Sequence, residues 1–445
     1  MKTFPLSCLL AACVTAAAGA YASDSLPVAI TPDLLDQLVA EAQGQSPALQ
    51  AADARLQAAN SALSGVRTWA DPTASFGVWA PGSGGFANSA QGNLIYGLDQ
   101  KLPLHGRPQL MRQAAAAAAD RERFASDSTA LRLRRDLEVG LIALALAGRE
   151  AGLAREDLSW LDATVSTVDH RYRVGQASQV DWLKAQTARA MAGDDLITKQ
   201  EELEHRAFSV NRLLNRDLHT AWPNLAVPPL QPALYYTPQL VEAALASEPE
   251  LRVARQESVS AQAEADLTRR SRLPDVSVGL QAWQYSGDGA LKQAMATVSF
   301  SVPWLNRGKY DDDWRRDQAR KRASELDAED DALSVREELH HHVVDLAAAR
   351  RQAVLYRDQL IPLTEQTLAS AQSAWEHGLG SFQDILDAHR LLVADRTGQV
   401  EALSQQGSML AEIRLLTGVR GTSALFALAG TEPSSHASHL LSSTP

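Results

Sequence analysis

Residues 172–183 and 375–386 carry nearly the same message, and the distance between them constrains the fold more than any other feature of the chain. Tyr172-Arg173-Val174-Gly175-Gln176-Ala177-Ser178-Gln179-Val180-Asp181-Trp182-Leu183 is answered by Trp375-Glu376-His377-Gly378-Leu379-Gly380-Ser381-Phe382-Gln383-Asp384-Ile385-Leu386, with Gly, Ser, Asp and Leu recurring at one offset of 203. Upstream, Pro72 and Gly77 pair with Pro274 and Gly279 at 202, and Pro103 with Pro303 at 200. Downstream, Arg212-Leu213-Leu214 pairs with Arg414-Leu415-Leu416 at 202. An offset this steady over the whole length means two copies of one structural unit. The unit is far longer than the ~20–50 residues of a solenoid repeat. The chain is a duplicated half-protein.

Each half reads as helix, two strands, very long helix, glycine turn, long helix. In the first half, residues 32–67 are helix-like with a break at Ser46-Pro47; Leu34, Leu35, Leu38 and Ala42 form one stripe, and Leu49, Leu56 and Leu63 recur every seven residues. Ala74, Phe76 and Val78 then alternate with Thr73, Ser75 and Gly77, the period of a strand with two environments. Leu94, Tyr96 and Leu98 alternate in the same way towards Pro103. In the second half Val276, Val278 and Leu280, then Ala296, Val298, Phe300 and Val302, repeat the pattern up to Pro303. Trp69, Trp79, Tyr96, Trp283, Tyr285 and Trp304 sit in or beside these strands, where an interfacial aromatic girdle is expected.

After each hairpin the pattern turns helical over 107–172 and 306–375, long enough to reach roughly 100 Å at ~1.5 Å per residue. Leu158, Leu161, Val165, Val168 and Tyr172 step by threes and fours, as do Ile361, Thr364, Leu368, Ala371 and Trp375, which predicts a coiled-coil seam ending at Gly175 or Gly378. The expected organisation is a leader over 1–22 and a first repeat over 23–217, with β-hairpin 70–103 and helical hairpin 105–217. A proline-rich linker over 218–238 leads to a second repeat over 239–418, with β-hairpin 273–303 and helical hairpin 305–418, and an irregular tail over 419–445. The tips fall near 175 and 378.

The first 22 residues read as an export signal: Lys2, an apolar stretch, and Ala20-Tyr21-Ala22 as a small-x-small cleavage site. Leu10-Ala11-Ala12-Cys13 also resembles a lipoprotein lipobox, which would make Cys13 a lipidated N-terminus. The apolar stretch runs past Cys13 to Ala22, and this favours cleavage after Ala22. Cys8 and Cys13 are the only cysteines, so under that cleavage the rest of the chain has no disulfide, thiolate metal site or cysteine nucleophile. A net charge of −11 speaks against a general nucleic-acid binder. Beyond the leader no run of 18 apolar residues occurs, so a membrane location requires a β-barrel. Four strands cannot close one, since the smallest membrane barrels have about eight. The expected fold is mainly α with a membrane β-barrel shared between chains.

With the duplicated Tyr/Trp-x-x-Gly-x-x-Ser-x-x-Asp-x-Leu turns, the Leu102-Pro103-Leu104 and Val302-Pro303-Trp304 junctions and the two Arg-Leu-Leu helix ends, residues 30 to 418 resemble the TolC-type outer membrane factors, including their heavy-metal efflux type. The resemblance implies a homotrimer with a 12-stranded β-barrel in the outer membrane of a Gram-negative bacterium and an α-helical barrel in the periplasm. It implies a passive exit duct for metal ions or small toxic compounds, with no enzymatic activity and no cofactor, fed by a periplasmic adaptor and an inner-membrane pump. A type I protein-secretion duct and a structural periplasmic coiled-coil protein are the alternatives. The Leu102–Arg107 run is closer to metal-efflux members.

The family's tip positions that meet the adaptor correspond here to Val174, Gly175, Gln176 and Ser178, and to Gly378, Leu379, Gly380 and Ser381. Its acidic gate corresponds to Asp384 and Asp387, three apart on one helix face, with Asp181 at the first-half position that helps hold the gate closed. Threefold symmetry would gather six carboxylates, favour cations and raise their pKa values by mutual repulsion. Gly380 stands where the family often has a basic residue. The His340-His341-His342 run reads as a solvated helix face rather than a metal site, because successive helical residues diverge by about 100°. His377 and His389 flank the gate as a surface pattern that could respond to pH.

Overall fold

A computed structural model describes residues 27–78, 94–284 and 289–430. The export and lipobox readings, including Cys13, lie outside the described residues, as do Trp79 and Tyr285. The first repeat runs α1 (Pro32–Gln45), α2 (Pro47–Gly65), β1 (Thr73–Val78), β2 (Leu94–Lys101), α3 (Arg107–Arg173) and α4 (Gln179–Leu214). The second runs α5 (Pro238–Ser247), α6 (Pro249–Arg270), β3 (Val276–Gln284), β4 (Leu291–Phe300), α7 (Arg307–Leu355), α8 (Ile361–Glu376) and α9 (Phe382–Thr417). Ser46 ends α1, and prolines at the starts of α1, α2, α5 and α6 occupy positions whose N–H would have no helical partner.

α3 is 67 residues long, roughly 100 Å at ~1.5 Å per residue. Its counterpart is not one uninterrupted α-helix. Between α7 and α8, Tyr356–Leu360 form a π-turn, followed by Pro362. The repeat offset grows from 200 at Pro303 to 203 at Gly378, so the second helical path is longer by three residues. A π-turn takes in more residues than an α-turn and lies within that longer stretch.

The strands form one antiparallel sheet in the order β1-β2-β3-β4, with β1 and β4 at its edges. The register sets Phe76 against Tyr96, Leu98 against Leu280, and Val278 against Val298. One face therefore carries Phe76, Tyr96, Leu98, Leu280, Val298 and Phe300, all exposed, with Phe76, Leu280 and Val298 open by 66%, 67% and 69%. The other face carries Ser75, Gly97, Gln281, Thr297 and Ser299. Trp283 pairs with Ile95 and so stands on this second face, which removes it from the expected outward girdle. Trp69 and Trp304 are exposed at the strand–helix junctions and Tyr96 lies on the apolar face.

Below the sheet the helices pack side by side as α2, α3, α6 and α7. Among the described residues three buried apolar cores hold them. One in the first repeat joins Leu35, Leu38, Leu137, Leu141 and Leu214; one in the second joins Leu240, Leu251, Leu339, Leu346 and Ile413. The third joins the two hairpins near their tips. The 218–238 segment has no regular helix before Pro238, yet it is firmly packed. Leu225 and Leu234 are buried, and the Gln231 backbone exchanges hydrogen bonds with the buried amide of Gln406 at 3.0 and 3.1 Å. The tail expected to be irregular contains α10 (Thr422–Ala429), whose Leu425 is buried in the second-repeat core. Docking of Leu425 and Ala429 there offsets the modest helix propensity of Thr422 and Ser423. Among the described residues no helix is long and apolar enough to cross a membrane.

Candidate functional site

The repeated turn is, atom for atom, a helix stop followed by a helix start. Gly175 and Gly378 adopt left-handed φ values of 77° and 73°. Gly175 N–H donates to Tyr172 C=O at 3.0 Å and Gln176 N–H to Arg171 C=O at 2.7 Å. Gly378 to Trp375 and Leu379 to Ala374 repeat this at 3.1 and 2.8 Å. This is the Schellman closure, in which a Cβ-free residue lets the chain satisfy the last helical carbonyls. Three residues on, each next helix opens with a capping box. Asp181 N–H donates to Ser178 Oγ at 3.1 Å while Ser178 N–H donates to the Asp181 carboxylate at 3.2 Å. Asp384 and Ser381 do the same at 3.2 and 3.0 Å. Gly-x-x-Ser-x-x-Asp is thus legible as cap chemistry, a role that the gate reading passed over.

Cap hydrogen bonds shape the candidate gate. The Ser381 backbone N–H and, after it, the Ser381 hydroxyl hold the Asp384 carboxyl below its ordinary pKa. Within one chain this direction is opposite to the rise expected from repulsion across a threefold axis, because the cap donates to the ionised form. Asp387 is exposed, accepts from Gln383 Nε2 at 2.9 Å and pairs with Arg390 at 3.5 Å. Asp384 and Asp387 share the exposed face of α9, whereas Phe382, Ile385 and Leu386 on its other face are buried.

The tips are exposed apart from Gly380. Val174, Gly175, Gln176, Ser178, Gly378 and Ser381 face solvent, and Leu379 is open by 85%, an apolar side chain with nothing to cover it. At Gly380 a Cβ would lie 2.9 Å from the Ala374 Cβ. Close packing of the turn onto α8 therefore accounts for glycine at this position.

Between the tips lies a core shared by both repeats. Leu161 and Val168 of α3 and Ala185, Ala188 and Ala192 of α4 pack against Phe382, Ile385 and Leu386, with Leu158, Val165, Leu368, Ala371 and Trp375 beside them. The seam follows the predicted spacing from Leu158 to Val168 and from Leu368 to Trp375, while Tyr172, Ile361 and Thr364 are not among its apolar members. Tyr172 is exposed and stacks on Trp182 at 6.1 Å, and Thr364 is buried with its hydroxyl donating to Asp395 at 2.6 Å. Arg171 lies over the Trp375 ring at 4.2 Å, a cation–π contact from one tip to the other. His389 is not a surface residue. It is 7% exposed, stacked on Trp160 at 3.5 Å, with Nε2 2.6 Å from Asp157 Oδ1. Neither Asp157 nor Trp160 belongs to the repeated motif, so no spacing signal marked them. His377 is exposed, its Nδ1 2.7 Å from Ser373 O.

The histidine run divides along α7. His340 is exposed and edge-on to Tyr236, His341 is exposed and 3.4 Å from Asp345, and His342 is half-buried. Burial pushes the His342 pKa down, against the pull of Glu412. Among the described residues no group of three His, Cys, Asp or Glu side chains is placed to hold a metal ion.

The comparisons agree with this geometry. The model of the family "Outer membrane efflux protein" matches residues 38–216 and again 240–419, which is the duplication itself. The cobalt-zinc-cadmium resistance protein CzcC of Cupriavidus metallidurans is 25% identical over 309 residues, 66% of this chain and 70% of its own length. The outer-membrane channel OprN superposes with a TM-score of 0.75 at 19% identity, covering 87% of this chain and 90% of its own. The CmeC outer membrane channel of Campylobacter jejuni superposes with 0.75 at 14% identity, covering 90% of each chain. The chain belongs to the outer membrane efflux protein family and is an outer-membrane efflux channel protein that extends into the periplasm.

Proposed function

We propose that three copies of this chain close into one passive duct, a 12-stranded barrel above and a helical barrel below, with Asp384 and Asp387 at its constricted periplasmic end. The observation that supports this most is the sheet. Among the described residues its four strands end at β1 on one side and β4 on the other, and one face exposes a continuous apolar surface. Lipid tolerates no open edge. Copies must therefore join β4 to the next β1 until the ring closes. Three such sheets suffice for a membrane barrel, which needs about eight strands or more. The same outward face disfavours a purely structural periplasmic coiled coil.

The tips then meet a periplasmic adaptor through Val174, Gly175, Gln176, Ser178, Gly378, Leu379, Gly380 and Ser381, and the adaptor couples the duct to an inner-membrane pump. Asp181 takes its part by fixing the start of α4 beside the gate. Metal ions are the proposed cargo, supported by the similarity to a cobalt-zinc-cadmium resistance protein. No enzymatic role is assigned: the members of this family are channels. The proposed domains are 23–217 and 239–418, joined by 218–238, a division supported by the two family matches at 38–216 and 240–419.

Reconstitution into planar bilayers tests the duct: discrete, cation-selective conductance steps are expected, and detergent-free solubility without conductance contradicts it. Deletion followed by growth on cobalt, zinc, cadmium and a drug panel tests the cargo. Sensitivity confined to the metals is expected, and sensitivity confined to drugs contradicts the assignment.

A further inference from the structure

The duct reading leaves open what holds one protomer to the next where the barrel meets the helices. A cavity of about 570 Å³ opens at that level, walled by the end of α2, the 66–71 segment and the start of α3. Arg67, Trp69, Leu102, Pro103, Leu104 and Met111 line it. Its rim is fixed: Asp275 accepts from Lys101 Nζ at 2.6 Å and from Arg107 at 2.9 Å. Trp69, Leu104 and Met111 remain exposed, so the apolar lining is uncovered in a single chain.

At the opposite edge of the protomer stands a complement. Pro303–Asn306 form a short 3-10 turn between β4 and α7. Pro303 is buried, but Leu305 is 79% exposed and Trp304 is exposed beside it. Topology brings the two together. β1 follows the 66–71 segment and β4 runs into the 303–306 turn, and neighbours in this sheet are antiparallel. When β4 of one copy pairs with β1 of the next, the end of β4 lies beside the start of β1. The helices give the same answer, since α2 and α7 end the row α2, α3, α6, α7. A head-to-tail contact of this kind uses two different surfaces and closes into a ring.

We propose that Leu305 and Trp304 of each protomer seat in the Trp69–Leu104–Met111 cavity of its neighbour, forming three knob-and-socket joints at the base of the barrel. The proposal rests on the ring-closure reading above. The occupant is a second copy rather than a membrane lipid because the protruding apolar residues and the cavity lie on the two edges that closure must bring together.

Leu305→Cys combined in turn with Trp69→Cys, Leu104→Cys or Met111→Cys, treated with a short bismaleimide in the assembled protein, tests it. At least one pair is expected to give covalent dimers and trimers on denaturing gels, with each single variant showing none. Leu305→Glu is expected to lower the trimer's dissociation temperature in native mass spectrometry while leaving helical content unchanged. A wild-type trimer in which no pair links and Leu305→Glu has no effect overturns the joint but leaves the duct standing. A phospholipid retained by the trimer and lost on Trp69→Ala also overturns it, assigning the cavity to lipid. Wild-type chains that neither assemble nor conduct overturn the ring-closure reading itself.

Discussion

His389 of α9 and Asp157 of α3 meet across the two repeats, Nε2 to Oδ1 at 2.6 Å, with the imidazole flat against Trp160. The contact ties the helix that carries Asp384 and Asp387 to the longest helix of the first repeat. His389 Nδ1 already lacks a partner, so losing Asp157 leaves a buried ring with neither nitrogen satisfied. Asp157→Ala should cost about 1–3 kcal/mol, the penalty of an unpaired buried polar group. It should also speed amide exchange in the first turns of α9. Unchanged exchange there would show that the contact carries no load.

Higher up, Arg414 of α9 donates to Glu138 of α3, and both side chains are largely buried, 14% and 11% exposed. Burial pushes Glu138 above the ordinary carboxylate pKa, against the pull of Arg414 and Arg134. Breaking a buried pair strands a charge, so Glu138→Ala or Arg414→Ala should each destabilise by about 3–5 kcal/mol. Glu138→Leu combined with Arg414→Met should recover most of it, read by chemical denaturation.

Gly175 and Gly378 have no neighbour within 4 Å of a built Cβ. Alanine at either site meets no clash, only the left-handed backbone, which should cost about 1–2 kcal/mol. The double variant should depart from additivity, because Arg171 of one turn lies over the Trp375 ring of the other at 4.2 Å.

Half-buried His342 sets a pH dependence. Its pKa is lowered on folding, so the unfolded chain binds more protons between the folded value and the unfolded value of about 6.5. Its contribution is therefore complete above that unfolded value and lost as pH falls towards the folded one. Thermal unfolding of His342→Gln against wild type should show a shallower loss of stability below about pH 6.5; parallel curves would contradict this.

Much of this was legible because duplication gives every weak signal a second reading. The Ser46 break, the alternation at Phe76 and Val298, and the seam at Leu161 and Val168 all follow from local chemistry. What stayed hidden depends on partners distant in sequence. Nothing beside His389 announces Asp157, 232 residues away. Trp283 sits in a strand whichever face it takes, and only the register with Ile95 decides the face. The π-turn at Tyr356 was present only as a three-residue drift in the offset. Asp384 shows a further limit: one carboxylate serves as cap and candidate gate, and sequence spacing fits both.

Single-channel recording of Asp384→Asn/Asp387→Asn beside wild type tests the central claim most directly. If six carboxylates line the constriction, the double variant should lose cation selectivity and change its unitary conductance. Identical conductance and selectivity in the two proteins would contradict an acidic gate at the tips of this duct.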